Sequence, residues 1–153
     1  MEKKKPLALA CDHAGLPLKE ELKKHLDALG EPYVDLGTND RASVDYPEYA
    51  HKLCLEISSG RCARGVLVCG TGVGMCMAAN KHKGIRAAVV SDTFSARMTR
   101  MHNDANVLCL GARVVGAGLA ADILDLFLNT AYEGGRHQRR VDLLNALDEN
   151  KKP

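Results

Sequence analysis

Apolar residues fall along this chain in short unbroken runs, separated by longer stretches where they recur every three or four positions. Five runs have strand length: Leu7-Ala-Leu-Ala-Cys11, Pro32 to Leu36, Gly65 to Cys69, Ile85 to Val90 and Asn106 to Leu110. The intervening stretches read as helices. Pro17 opens one to about Leu29, with Leu18, Leu22, Leu26 and Leu29 on one face and Gly30 as its stop. Pro47 opens another to about Ser58, with Tyr49, Leu53 and Ile57 in phase. Met75 to Asn80 reads as a short small-residue helix, Thr93 to about Met101 as a fourth, and Gly116 to about Leu128 as a longer fifth. After Gly134-Gly135 comes a basic, amphipathic tail, Arg136 to Glu149. This alternation predicts an α/β fold: a five-stranded parallel sheet covered on both faces. Residues 1–153 read as one domain, with 1–6 a flexible start and 134–150 a C-terminal tail helix.

In such sheets ligands collect at the carboxyl ends of the strands. There the chain places Asp12 and His13, then Cys69 with Gly70-Thr-Gly-Val-Gly74, then Ser91 and Asp92, then Gly111 and Arg113. Glycines at 70, 72 and 74 let backbone amides approach an anion or a developing oxyanion, with a helix N-terminus behind them; a tight turn with no ligand is the plainer alternative. The spacing is neither the dinucleotide fingerprint nor a P-loop, although Asp92 stands where a ribose-binding acid would, which keeps a nucleotide-binding module open. Cys69, at the lip of the turn, either fills the end of a strand or is a reactive thiol able to take a proton from carbon. His102 is either a surface residue at a helix end or a general acid/base. Asp12-His13 fits an ordinary turn equally well. Arg136 and Arg140 share one side of a helix beside His137 and Arg139, as a phosphate site or as a solvated face.

Composition narrows the classes. The formal net charge of +2 gives no reason to expect nucleic acid, and the alternative of a basic tail gripping acidic partners would need salt-sensitive binding. Met1 to Lys5 is basic with no apolar segment behind it, so it does not read as a signal peptide, and no run reaches membrane-spanning length. The six cysteines show no C-x-x-C spacing, which fits reduced thiols in a cytoplasmic protein. Five read as small hydrophobes, Cys69 being the exception, and no clustered Cys and His mark a zinc site.

Eight motifs occur in order: Cys11-Asp-His-Ala-Gly15, Val44-Asp-Tyr-Pro47, Cys69-Gly-Thr-Gly-Val-Gly74, Ala78-Ala-Asn-Lys81, Gly84-Ile-Arg-Ala87, His102-Asn-Asp104, Gly111-Ala-Arg-Val-Val115 and Glu133-Gly-Gly-Arg-His137. On these the chain, from about 7 to 147, resembles the type B ribose-5-phosphate isomerases, a family that also holds galactose- and allose-6-phosphate isomerases. The resemblance implies a Rossmann-like three-layer α/β/α sandwich with strand order 2-1-3-5-4. It implies a metal-free aldose–ketose isomerase of D-ribose 5-phosphate and D-ribulose 5-phosphate, with no cofactor. It also implies a homodimer or dimer of dimers whose active sites draw on two subunits, with the tail packing on the partner. By motif, Cys69 resembles the base acting between C1 and C2, and His102 the acid that opens the furanose ring. Gly70, Thr71, Gly72, Val73 and Gly74 would hold the cis-enediolate. Asp12 and Asn103 would contact the sugar, and His13, Arg113, Arg136 and Arg140 the phosphate. Relatives that use a glutamate base carry it where this chain has Met75, which leaves Cys69 as the candidate. A hexose 6-phosphate remains the alternative substrate. The run Met75-Cys-Met77 has no functional reading.

Overall fold

The computed structural model describes residues 3–150; Met1 and Glu2 of the expected flexible start lie outside that range. Lys4 in that start pairs with Glu31 at 2.6 Å. The elements run β1 (Leu7–Cys11), α1 (Leu16–Leu29), β2 (Tyr33–Asp35), α2 (Tyr46–Ser58), β3 (Gly65–Cys69), α3 (Val73–Ala79), β4 (Ala87–Val89), α4 (Thr93–Asn103), β5 (Val107–Gly111), α5 (Ala117–Asn129) and α6 (Arg136–Ala146), closed by a 3₁₀ turn at Leu147–Asn150. All strand pairings are parallel, in the order β2-β1-β3-β5-β4. Fold class and strand order are those expected.

Every residue of β1, β3 and β5 is buried, and alternate side chains feed two separate layers. Val66, Val68, Leu108 and Leu110 pack with Leu18, Leu22 and Leu26 of α1 and with Ile123, Leu124 and Phe127 of α5. Ala8, Ala10, Leu67, Cys69 and Cys109 pack on the other face with Leu53 and Cys54 of α2 and Met75 and Ala79 of α3. Burying both faces explains why these strands read as unbroken apolar runs. Leu29, assigned by phase to the buried side of α1, is the last residue of that helix and is 50% exposed.

Most element bounds differ from expectation by a residue or two, and two of the differences bear on the site or have a local cause. The third helix begins at Val73, not Met75, so Gly74 lies inside its first turn. The fourth strand is confined to Ala87–Val89, because Arg86 and Ala87 donate their amides to the side chains of Asn106 and Asn80, at 2.8 and 2.9 Å. No described helix is long and apolar enough to cross a membrane.

Candidate active site

The register of the three central strands assembles the first group of side chains. Cys11 lies opposite Val68, and Cys69 opposite Gly111, so Asp12, Cys69 and the segment after Gly111 emerge side by side. Ala112 N–H donates to Cys69 O at 2.9 Å and Arg113 N–H to Gly70 O at 3.0 Å, which ties the end of β5 to the glycine loop. A Cβ on Gly111 would lie 2.6 Å from the Thr71 carbonyl carbon, so only glycine lets the two segments meet.

Within the loop, Gly72 takes φ +80 and its N–H donates to Cys69 Sγ at 3.1 Å. Val73 N–H donates to Thr71 Oγ1 at 3.2 Å, leaving the Thr71 hydroxyl proton available to donate. The first intrahelical bond of α3 is Cys76 N–H to Gly72 O at 3.0 Å, so the amides of Gly74 and Met75 precede it and have no partner within the helix. Cys69 is 5% exposed: the sulfur lies beneath the loop and not at an open lip, because β3 ends in mid-sheet with α3 packed over it.

Asp12 is buried and Oδ1 accepts from Gly15 N–H at 2.9 Å, so one carboxylate oxygen closes the turn into α1. His13 Nδ1 accepts from Val44 N–H at 3.1 Å, which puts the proton of the neutral ring on Nε2. The guanidinium of Arg113 lies over the open Gly70 backbone. Asp92, the candidate ribose-binding acid, is the N-cap of α4. Its Oδ1 accepts from Ser95 N–H at 2.6 Å, and that backbone hydrogen bond holds the carboxyl below its usual range. A helix cap accounts for that residue without a nucleotide.

The second group stands apart. His102 and Asn103 close α4, which Asp104 terminates in the left-handed conformation, φ 46. Asp104 is clamped by Arg100 Nη1 at 2.9 Å and Arg86 Nη2 at 3.2 Å, fixing where His102 and Asn103 sit. The tail helix α6 packs against α4 through buried His137 and Val141. His137 stacks on His102 with ring centroids 4.1 Å apart and planes 14° from parallel. His102, Asn103, Arg136, Arg140, Val141 and Leu144 are among the residues around an open cavity of about 500 Å³. No strand-end residue lines it, so the candidate residues fall into two groups: Asp12, His13, Cys69, Gly70 to Gly74 and Arg113 in one, His102, Asn103, Arg136 and Arg140 in the other.

Residues 7–144 match the family described as Ribose/Galactose Isomerase. The chain belongs to the ribose/galactose isomerase family. Among the family's curated proteins, ribose-5-phosphate isomerase B of Escherichia coli is 47% identical over 147 residues, covering 96% of this chain and 99% of that one. Ribose-5-phosphate isomerase B of Clostridium thermocellum superposes with a TM-score of 0.92 at 45% identity, over 94% of this chain and 97% of the other. The enzyme of Mycoplasma genitalium, solved with bound ribulose-5-phosphate, superposes with a TM-score of 0.90 at 41% identity, over 95% and 97% of the two chains.

Three features depart from or go beyond the sequence reading, which found no metal-type cluster and took Cys76 as a small hydrophobe. Glu133, His137 and His102 converge, although only the first two sit at helix-like spacing. Met75-Cys-Met77 divides by burial: Met75 is core, Cys76 is half-buried and Met77 is 65% exposed. The Cys76 thiol is pulled down to about 7, mainly by a hydrogen bond with Cys109. Burial pushes Cys11 up to about 11 and Cys54 to about 12, as befits thiols acting as small hydrophobes.

Proposed function

We propose that this protein interconverts D-ribose 5-phosphate and D-ribulose 5-phosphate, as a homodimer in which the strand-end half-site of one copy faces the α4/α6 half-site of the other. Arg136 and Arg140 from one copy, with His13 and Arg113 from its partner copy, hold the phosphate far from the reacting carbons, so that binding energy positions the sugar. His102 protonates the furanose ring oxygen as its bond to C1 breaks, and the C1 hydroxyl gives up its proton to solvent, leaving the open-chain aldehyde. Asp12 and Asn103 hold the freed hydroxyls. The Cys69 thiolate then removes the proton from C2. The electron pair moves into a C1–C2 double bond and charge collects on O1, opposite the loop amides and the Thr71 hydroxyl. The proton on O2 passes to O1, Cys69 returns its proton to C1, and the ketose carbonyl forms at C2.

The observation that carries this reading is the 3.1 Å hydrogen bond from Gly72 N–H to Cys69 Sγ, beneath a loop whose next amides have no helical partner. A base for carbon and donors for the resulting oxyanion thus lie on one turn. The homodimer is supported by the separation of the two half-sites and by exposed apolar side chains at the loop, Val73, Met77 and Val114, and on the tail, Leu143, Leu144 and Leu147. The pentose is supported by the ligand of the Mycoplasma genitalium relative. Free thiols at all six cysteines support a reducing, cytoplasmic setting.

The deciding experiment is isomerase assay of Cys69→Ala on ribose, allose and galactose phosphates beside wild type. The variant should lose isomerisation by about 10²–10⁴-fold, the range of a general base, while still binding ribose 5-phosphate. Full activity in the variant, or a wild type that prefers a hexose phosphate, would overturn the mechanism or the substrate respectively.

A further inference from the structure

The donor atoms of His102, Glu133 and His137 all lie within 4.8 Å of one another. Two unrelated constraints bring them there. Glu133 N–H donates to Met101 O at 3.1 Å, which pins the segment before α6 to the end of α4. The ring stacking then seats His137, in the first turn of α6, directly on His102. Glu133 Oε2 comes to 3.3 Å from His137 Nε2 yet is out of line for a hydrogen bond, and that buried nitrogen has no other partner. An unsatisfied buried nitrogen is costly and calls for a ligand.

We propose that His102, Glu133 and His137 form a binding site for a divalent zinc ion. Two imidazole nitrogens and one carboxylate oxygen are a donor set that zinc takes, with a fourth position left for water; magnesium and calcium prefer oxygen alone. Zinc bonds of about 2.0–2.2 Å lie in the plane of each imidazole, so one of the two stacked rings must turn out of parallel and the Glu133 carboxylate must close on them. Glu133, exposed at the edge of the group, has the rotamer freedom to do so. The adjoining cavity of about 500 Å³ gives the ion its way in. Arg136 and Arg140 border the same cavity and repel a cation, so the site is one of moderate affinity and not a permanent structural centre. Its occupation takes up the imidazole of His102; the resulting inhibition of ring opening rests on the function proposed above, whereas the metal site itself does not.

Zinc titration of the full-length, metal-depleted protein tests this by calorimetry, with thiols kept reduced by a phosphine. One zinc per chain should bind, and both Glu133→Gln and His137→Gln should weaken it at least about tenfold, since even removing a partner of a metal ligand costs that much. Cobalt(II), used as a probe, should give visible bands of a tetrahedral nitrogen–oxygen site without thiolate charge transfer. Three results would each overturn the proposal: no binding, binding unchanged in Glu133→Gln, or binding abolished by Cys69→Ser and untouched by His137→Gln. Because none of these readouts uses turnover, absence of isomerase activity would sink the proposed function and leave the metal result standing.

Discussion

Lys19 is fully buried, yet its ammonium meets Asp35 Oδ1 at 2.6 Å, Thr38 O at 2.7 Å and Asn39 Oδ1 at 3.1 Å. Leu18 and Leu22 on either side of it are legible as core from their spacing alone. Lys19 is not, because its acceptors come from β2 and the loop after it, and no local pattern announces them. Replacing it with methionine strips Asp35 of one partner and leaves Lys23, at 2.8 Å. Breaking a buried pair in this way should cost about 3 kcal/mol, measured by urea unfolding of Lys19→Met against wild type. Burial pushes the Asp35 carboxyl upward, but hydrogen bonds from Lys19 and Lys23 outweigh it and hold the folded-state pKa below its ordinary value. A carboxyl depressed by folding stabilises the protein above its unfolded pKa, about 3.9, and that contribution fades as pH falls through the folded value. Asp35→Asn should therefore be clearly less stable than wild type at pH 7, and the gap should close in unfolding curves taken progressively below about pH 4. A constant gap across that range would contradict the ion pair.

The loop-plus-helix element after β3 shows where local reading stops. The glycines read as a candidate site, but their duties are not separable in the sequence, since each depends on what lies opposite. A Cβ on Gly74 would sit 2.8 Å from Tyr46 Cζ, so this glycine makes room for the start of α2, inside a helix that the sequence starts two residues later. A Cβ on Gly70 would meet nothing closer than Arg113 Nη1 at 3.5 Å, an ordinary contact with a movable group. The two substitutions should part company. Gly74→Ala should lose about 1–3 kcal/mol to overpacking, seen as a lower Tm. Gly70→Ala should fold with nearly unchanged Tm and instead raise KM for the sugar phosphate, because the new methyl covers backbone that the substrate is proposed to approach. Equal Tm losses in both would remove the distinction.

At the scale of the whole molecule, the order of motifs along the chain gives no sign of which ones can meet. Cys69 and Arg113 adjoin because β3 and β5 are neighbours in the sheet, a fact of topology. His102 and Arg140 adjoin because α6 folds back onto α4. Bonds within the same chain hold that return in place: Asp148 Oδ2 in the 3₁₀ turn accepts from Gly84 N–H at 2.8 Å, and Arg86 Nη1 donates to Asn145 Oδ1 at the end of α6 at 3.2 Å. A tail anchored to its own chain supports the proposed two-copy site, in which its arginines face the Cys69 of a second copy. That arrangement makes a quantitative demand. Cys69→Ala and His102→Ala should each be nearly inactive on ring-closed substrate when purified alone. Unfolded together in equal amounts and refolded, half of the dimers will be mixed, and in each mixed dimer one site carries both substitutions while the other carries neither. Activity should then recover to roughly a quarter of the wild-type value, the share set by random pairing in a two-fold assembly. A site completed within one chain would give no recovery at all, because no chain in the mixture holds both residues, and the same assay would show it.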